Sequence, residues 1–369
     1  MVDTISSTLF SLIKNNVNED LVGMKTRLQD LKAQLDIGSG GVRMVGIWGV
    51  GGGGKTTLAS SVYHEISFLF EGCCFLGDIR EQSVKYGLEK LQEKILCGVL
   101  KQKQVEVDGV EEGKLMIGSR LWHKKVLIVL DDVNHLNHLN ALAGSRDWFG
   151  DGSRILITTR DSHILNVHRV DVIHHISLFN NEEGIELFCK HAHQDYPPKE
   201  GYERLSKDVV SYASGLPLAL KVLGSFLCDK DMNEWRSALA RLKEIPDTNI
   251  VEKLKISYDG LTREEKELFL DITCFFRGEK KNYAIEILDA CGLHPVIGIK
   301  VLIEKALITI SDGMFSMHDL IQELGRYIVR GENPRTPEKH SRVWQVEEVL
   351  SICAMDPTTV MVELYLHHM

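Results

Sequence analysis

The sequence lacks the features that mark several specialised classes of protein. None of its eight cysteines stands in a C-x-x-C spacing, which argues against a zinc ribbon or a redox pair and favours free thiols in a reducing compartment. No low-complexity tract interrupts the chain, and no apolar run approaches the roughly 18 residues that a membrane span needs. The amino-terminal residues also lack the basic and apolar regions of a signal peptide. We therefore expect a globular cytoplasmic protein, with a nucleocytoplasmic distribution as the alternative, and no association with membranes.

Positive charge is also in short supply. With 43 basic and 52 acidic residues the chain has a formal net charge of −9, so it repels polyanions and is not expected to bind nucleic acid. Length, in contrast, is ample, because 369 residues exceed the ~250–300 at which a single hydrophobic core stops growing. Hydrophobic residues at 44% and charged residues at 26% are typical of globular proteins. Two or more packed domains are therefore expected.

The first half of the chain alternates between two kinds of apolar pattern. Short apolar runs at 42–48, 73–76, 126–130, 154–159 and 170–178 are typical of buried strands. Apolar residues at three-to-four spacing, such as Leu88, Leu91, Ile95 and Val99, predict helices between them. Strands that alternate with helices indicate an α/β fold with a doubly wound parallel sheet.

After residue 178 the strand pattern gives way to helices. Helical patterns cover 182–191, 201–213, 217–227 and 232–242, and then 250–258 and 264–275 beyond Pro246. A hairpin with a Ser-Asp-Gly turn is predicted between 307–310 and 314–317. We therefore predict a nucleotide-binding domain at 17–178, a helical domain at 179–246 and a winged-helix domain at 247–331, flanked by linkers at 1–16 and 332–369.

Residues 49–56 form the most specific motif. Their sequence, Gly-Val-Gly-Gly-Gly-Gly-Lys-Thr, fits the phosphate-binding pattern G-x-x-x-x-G-K-[ST] and lies between a predicted strand and a predicted helix. In such a loop the backbone N–H groups and the helix N-terminus hold the phosphates of ATP or ADP. The lysine, Lys55, would reach the β- and γ-phosphates, and the hydroxyl of Thr56 would hold Mg²⁺. A glycine-rich turn that precedes Lys-Thr by chance is the alternative.

Polar residues follow two further predicted strands. Asp131 and Asp132 come directly after the apolar run 126–130, so Asp131 is the candidate ligand of Mg²⁺ and Asp132 the candidate catalytic residue that polarises water. Arg160 follows the strand 154–159 and is a candidate sensor of the γ-phosphate, because ligands of open α/β sheets bind at the carboxyl ends of the strands. The alternatives are a polar turn after a strand and a solvated arginine.

Six segments together resemble a known family. The three segments above, with Gly-Leu-Pro-Leu-Ala-Leu at 215–220, Phe-Leu-Asp-Ile-Thr-Cys-Phe-Phe at 269–276 and Met-His-Asp-Leu at 317–320, resemble the NB-ARC module of plant intracellular immune receptors, which are signal-transduction P-loop ATPases. Asn134 and the segment 269–276 look like the class with an amino-terminal TIR domain. The resemblance covers about residues 17 to 345. It implies that the chain lacks the TIR domain, which carries the NAD-cleaving activity, and the leucine-rich repeats.

The resemblance implies a role for each matching residue. The phosphates and Mg²⁺ would be held by Gly49, Gly51, Gly52, Gly54, Lys55, Thr56 and Thr57. Pro217 would pack on the adenine, the backbone at Val22 would contact it, and His318 would touch the β-phosphate of ADP. One residue departs from the family pattern, because Gly53 stands where a bulky residue is usual. Four consecutive glycines raise the entropy lost when the loop becomes ordered, by roughly 0.5–1 kcal/mol for the extra one.

The residues themselves agree with these assignments without requiring them. Pro217 stands where a helix is predicted to begin, a position at which proline costs no hydrogen bond. His318 lies at the predicted junction of strand and helix, where Asp319 and Gln322 predict a capping-box-like start. The predicted hairpin carries no Lys or Arg, which argues against DNA binding by a winged helix.

Three functions are compatible with these features. The first is an ATP/ADP-binding molecular switch in plant defence signalling, closed with ADP and open with ATP, which pairs with other receptor chains or with itself on activation. The second is a truncated decoy or adaptor that pairs with full-length receptors. The third is a slow turnover ATPase. Contacts to one nucleotide from separate domains favour the switch, because occupancy is then coupled to domain arrangement.

Overall fold

A computed structural model of the chain describes residues 21–192, 198, 200–244, 246–331, 333 and 336–355. It divides the chain into two compact units, one ending at Leu187 and the other beginning at Phe188. The predicted amino-terminal linker at 1–16 and the last residues of the predicted carboxyl-terminal linker lie outside the described residues. None of the helices in the described part has the length and apolar character needed to cross a bilayer.

The first unit is built on a five-stranded parallel sheet with the strand order β2-β3-β4-β1-β5. Its strands are β1 Arg43–Trp48, β2 Gly72–Leu76, β3 Val126–Val133, β4 Arg154–Thr159 and β5 Val172–His175. Its helices are α1 Met24–Leu35, α2 Lys55–Ile66, α3 Ile79–Tyr86, α4 Leu88–Leu100, α5 Val110–Leu121, α6 Leu136–Leu142 and α7 Ser162–Val167. The predicted α/β fold with a doubly wound parallel sheet is confirmed.

Strand β3 shows why the apolar runs of this unit are continuous rather than alternating. Ile128 and Leu130 join the core on one face of the sheet, while Leu127 and Val129 join the core on the other face. All four side chains are fully buried. A strand with helices on both of its faces has no solvent-exposed side, so every position is apolar.

The second unit is mostly helical. Its helices after α8 Asn181–Ala192 are α9 Glu203–Ala213, α10 Pro217–Leu227, α11 Met232–Glu244, α12 Thr248–Asp259, α13 Arg263–Asp271, α14 Lys281–Ala290, α15 Pro295–Glu304, α16 Asp319–Arg330 and α17 Val346–Met355. Strands β6 Thr309–Ser311 and β7 Met314–Ser316 form the predicted antiparallel hairpin. Thr262 and Glu265 make a capping box at the start of α13, and a π-helical turn Ile272–Phe276 follows that helix.

The division between the units differs from the predicted boundary at 178. Arg27 in α1 forms a two-oxygen ion pair with Glu183 at 2.6 and 3.0 Å, and its guanidinium lies 4.8 Å from the ring centre of Phe179. These contacts attach the first turns of α8 to the sheet unit. The segments predicted as a helical domain and a winged-helix domain lie in one compact unit. A hydrogen bond of 2.8 Å from the Tyr212 hydroxyl to Glu323 connects the two segments.

The described part of the predicted carboxyl-terminal linker is packed rather than extended. The Arg342 guanidinium contacts Asp271 at 2.5 Å and Glu267 at 2.7 Å, and its side chain is only 9% exposed. The ring of Trp344 lies 5.6 and 5.2 Å from the guanidinium carbons of Arg326 and Arg330. Charged and aromatic contacts therefore hold this segment against α13 and α16, although its proline and charge content predicted a linker.

Candidate nucleotide-binding site

The phosphate-binding loop connects β1 to α2. Gly52 and Gly54 have positive φ angles of 78° and 92°, which glycine adopts without strain. A Cβ atom at Gly49 would lie 2.5 Å from Cγ2 of Ile176, so this position has no room for a side chain. Lys55 is the first residue of α2. The glycines thus give the close backbone approach and the helix N-terminus that phosphate binding requires.

The Lys55 side chain lies inside the loop. Its Nζ donates to the carbonyl oxygens of Gly49 and Val50, both at 2.8 Å, and the residue is only 7% exposed. Burial, with a smaller contribution from the nearby Arg160, lowers the pKa of this lysine to about 7, although Asp132 and Asp131 oppose the change. A bound phosphate would favour the charged form of Lys55, so ligand binding and protonation are coupled at this residue.

Three side-chain oxygens meet beside the loop. Oδ1 of Asp131 accepts hydrogen bonds from Thr56 at 2.8 Å and from Thr158 at 2.6 Å. Burial raises the pKa of Asp131, and the two hydroxyl donors partly offset this effect. Thr56 is exposed, as is the next residue, Thr57, while Asp131 is 1% exposed. The fold therefore places Thr56 and Asp131, the two residues predicted to bind Mg²⁺, in direct contact.

The geometry of this pair fits a magnesium ion. Octahedral Mg²⁺ binds oxygen at about 2.0–2.1 Å, so two neighbouring ligands lie about 2.8–3.0 Å apart. The 2.8 Å between Thr56 Oγ1 and Asp131 Oδ1 matches that spacing. Within the described ranges no group of three or more His, Cys, Asp or Glu side chains is arranged to hold a metal. A cation here would take its other ligands from phosphate and water, as Mg²⁺ usually does.

Asp132 lies between two arginines. One of its carboxylate oxygens is 2.8 Å from Nε of Arg80, and the other is 3.6 Å from Nε of Arg160. Arg80 did not emerge from the sequence, where it is a single basic residue after a predicted strand. One partial signal was available, since residues that follow parallel strands lie at the same edge of the sheet. That β2 and β3 are neighbours, which brings Arg80 to Asp132, is seen only in the structure. Sequence reasoning also missed Thr158.

Val22 lies in the turn that precedes α1. The residue is 4% exposed, and the carbonyl of Gly23 accepts a 2.6 Å hydrogen bond from Arg27. The family resemblance at Val22 extends over residues 20–23, and Asp20, the first of them, lies outside the described residues. The contact between the backbone at Val22 and adenine stays a prediction.

His318 caps helix α16 in the second unit. Its Nδ1 accepts from the backbone N–H of Leu320 at 3.1 Å, so the ring proton is on Nε2, which donates to the carbonyl of Ser214 at 3.0 Å. Burial lowers the pKa of His318, and the ring is therefore neutral near pH 7. The predicted cap by Asp319 and Gln322 is wrong. Gln322 instead donates to the carbonyl of Thr273 at 3.1 Å.

Asp319 connects α16 to the end of α9. Its carboxylate accepts a hydrogen bond from the Ser214 hydroxyl and pairs with Arg277 at 2.5 Å. Ser214 has a left-handed backbone, with φ 47°, and ends α9 just before Pro217, the first residue of α10. His318 and Asp319 thus both hold the turn that precedes Pro217.

Comparisons with known proteins identify the family of the two units. A model of the NB-ARC domain matches residues 24–196, and a model of the winged-helix domain of Roq1-like disease resistance proteins matches residues 262–333. The TMV resistance protein N of Nicotiana glutinosa is 43% identical over 98% of this chain, and the disease resistance protein RUN1 of Vitis rotundifolia is 44% identical over 93%. These matches cover only 32% and 26% of the two relatives.

A solved structure supports the fold. The Walker-type ATPase PABY2304 of Pyrococcus abyssi superimposes with a TM-score of 0.55 over 84% of this chain and 97% of its own, at 13% sequence identity. At that identity the similarity concerns the fold, a parallel sheet of the P-loop ATPase type.

Proposed function

Because this chain belongs, through its NB-ARC and Roq1-like winged-helix domains, to the plant disease resistance proteins of the TIR type, we propose that it is a nucleotide-dependent switch in defence signalling. In the proposed cycle ADP and Mg²⁺ stabilise a closed state, and exchange of ADP for ATP favours an open one. The chain spans about a third or less of its relatives' length. Its cytoplasmic location and its association with other receptor chains or with itself are part of the proposal.

The observation that carries the proposal is the preformed phosphate site. The Lys55 ammonium lies within the glycine loop, and Thr56 and Asp131 present two oxygens 2.8 Å apart at its edge. Such a site suits a phosphorylated nucleotide with Mg²⁺ better than a catalytic reaction on another substrate, since an ammonium group, a hydroxyl and a carboxylate have the chemistry that phosphate and Mg²⁺ require of their ligands.

The family resemblance assigns further contacts to the same nucleotide. Gly51 and Thr57 would contribute to phosphate binding, Arg160 would sense the γ-phosphate, Pro217 would pack on adenine, and His318 would donate from Nε2 to the β-phosphate of ADP. In the structure that Nε2–H donates to Ser214. We infer that His318 exchanges a carbonyl acceptor for a phosphate acceptor, a change that leaves the cap on Leu320 intact.

The test is nucleotide binding by Lys55→Ala, measured by calorimetry with ADP and with ATP. Loss of a charge-assisted contact costs ~1.5–3 kcal/mol, so affinity for both nucleotides should fall by one to two powers of ten. Lys90→Ala is the matched control, because Lys90 is 58% exposed and pairs with the neighbouring Glu93 on α4. Unchanged affinity in a folded Lys55→Ala variant would refute the assignment.

A slow turnover ATPase is the second candidate, and the environment of Asp132 bears on it. One oxygen of its carboxylate contacts Arg80 and the other contacts Arg160, so neither is free to orient an attacking water. We therefore expect phosphate release well below the ~1–100 s⁻¹ of kinases. Sustained turnover above about one per second, abolished in Asp132→Ala, would favour the ATPase instead.

A further inference from the structure

We propose that Arg80 binds the third phosphate of ATP and thereby distinguishes ATP from ADP, with the Asp132 carboxylate holding its guanidinium until that phosphate arrives. The inference rests on the proposed function, because it concerns the same nucleotide site. It adds a specificity-determining residue that lies outside the phosphate-binding loop, outside β3 with the predicted metal ligand Asp131, and outside β4, which the predicted sensor Arg160 follows.

The position of Arg80 is set by the sheet. It is the second residue of α3, which follows β2, and β2 is the hydrogen-bonded neighbour of β3. Parallel strands end at the same edge, so the start of α3 lies beside the end of β3, where Asp132 stands. The Nε of Arg80 is 2.8 Å from Asp132 Oδ2, and the two side chains are only 23% and 17% exposed.

The pair of Arg80 and Asp132 borders the phosphate site directly. Asp131, the preceding residue, accepts a hydrogen bond from Thr56 of the phosphate-binding loop. The second oxygen of Asp132 faces Arg160, and Arg160 is close enough to Lys55 to lower the pKa of that lysine. Two guanidinium groups therefore flank one carboxylate next to the lysine that is proposed to hold phosphate.

The charges of this cluster explain why a carboxylate occupies its centre. Two guanidinium groups in a partly buried site repel each other, and an anion between them offsets the repulsion. A terminal phosphate carries more negative charge than a carboxylate and presents three oxygens, and guanidinium forks bind such groups with paired hydrogen bonds. Asp132 thus acts as a substitute anion in the absence of the third phosphate, and ADP offers no group to replace it.

The backbone at Asp132 is consistent with a positioned side chain. Its φ angle is 55°, a left-handed conformation that is uncommon for residues other than glycine, and the register of β3 against β4 shifts between Leu130 and Val133. The Asp132 N–H donates to Thr158 Oγ1 at 2.9 Å, which fixes this irregularity. Asn tolerates the left-handed region as Asp does, so Asp132→Asn removes the charge with little change in shape.

The experiment compares the affinities of ADP and of a non-hydrolysable ATP analogue, both with Mg²⁺, by calorimetry on the full chain. Arg80→Ala should weaken the ATP analogue about tenfold and change ADP by less than about twofold. Arg80→Lys keeps a charge without the fork and should give a smaller loss for the ATP analogue. Asp132→Asn should raise the ratio of ATP to ADP affinity. Arg146→Ala is the matched control, because this arginine pairs with Asp171 at 3.2 Å near the start of β1.

The outcomes separate this inference from the proposed function. Equal losses for ADP and the ATP analogue, or no loss, in a folded Arg80→Ala would mean that Arg80 only connects α3 to β3. If Arg80→Ala does not fold, an unchanged affinity ratio in both Arg80→Lys and Asp132→Asn would overturn the inference in the same way. A wild-type chain that binds neither nucleotide would refute the proposed function instead.

Discussion

Replacement of Asp319 by valine is the most informative perturbation of the second unit. The carboxylate accepts a hydrogen bond from Ser214 and forms an ion pair with Arg277, and both contacts join α16 to neighbouring elements. Valine removes both acceptors and leaves the His318 cap on Leu320 in place. The turn before Pro217 then loses its attachment to Asp319, while the bond from His318 to the Ser214 carbonyl remains.

The free energy that Asp319→Val is expected to remove depends on how far the Asp319 side chain is exposed to solvent. Burial opposes ionisation of Asp319, yet the bonds from Ser214 and Arg277 outweigh it and lower the pKa, so the carboxylate is charged at pH 7. Hydrogen bonds to charged groups contribute about 1.5–3 kcal/mol, but a side chain that is 51% exposed is screened by water. We therefore expect a loss of about 1–2 kcal/mol from the closed state, a change of roughly 5- to 30-fold in the open-to-closed ratio.

The assay measures the release rate of a fluorescent ADP analogue together with limited proteolysis near residues 331–342. Asp319→Val should release ADP faster, retain ATP binding and be cleaved more readily in that segment. Asp319→Asn keeps an acceptor for Ser214 without the charge and should fall between wild type and Asp319→Val. Asp289→Val provides the control, because Asp289 is exposed in the same unit.

Equal release rates and equal cleavage for wild type and Asp319→Val would mean that this residue does not gate the nucleotide. If Asp289→Val matched Asp319→Val, the effect would be a general loss of stability. Faster release of both ADP and ATP would mean that Asp319 contributes to nucleotide binding in general and not to the preference between the closed and open states.

Two further predictions concern the phosphate-binding loop. Gly53 does not have a positive φ, and a Cβ atom there would lie 3.2 Å from the Val50 carbonyl oxygen, so Gly53→Ala should fit after a small shift. Because alanine loses less backbone entropy than glycine when the loop becomes ordered, this variant should bind ADP about two- to fivefold more tightly. Weaker binding than wild type in calorimetry would refute this prediction. Because the pKa of Lys55 is lowered to about 7 and a bound phosphate raises it again, ADP binding at pH 8 should take up protons. Binding enthalpies measured in buffers of different ionisation enthalpy would reveal the uptake, and it should disappear in a variant that lacks Lys55 but still binds.

The phosphate-binding loop was predictable from sequence because its signal is local. The glycines, Lys55 and Thr56 are contiguous, and the strand and helix that flank them have clear apolar patterns. Asp131 was predictable for the same reason, as it directly follows a buried strand. The bounds of β4 and α10 agree with the predicted segments residue for residue, since Thr159 and Pro217 lie at sharp changes of pattern.

The features that could not be predicted from sequence depend on contacts between residues distant in the chain. Arg80 and Asp132 are 52 positions apart and meet only because β2 and β3 are adjacent. The attachment of α8 to the first unit depends on Arg27 and Glu183, which are 156 positions apart. Gln322 looked like a capping residue, but its amide bonds to the Thr273 carbonyl across the second unit. Such tertiary contacts override local pattern.

A nucleotide-dependent switch of the proposed kind retains ADP tightly. The most direct measurement is the nucleotide content of purified wild-type and Lys55→Ala protein, each equilibrated with ADP and Mg²⁺, desalted, denatured and quantified by ion-exchange chromatography. Wild type should retain close to one ADP per chain and Lys55→Ala should retain little, because the loop loses its buried ammonium group. Equal trace amounts in the two proteins would contradict the proposed switch.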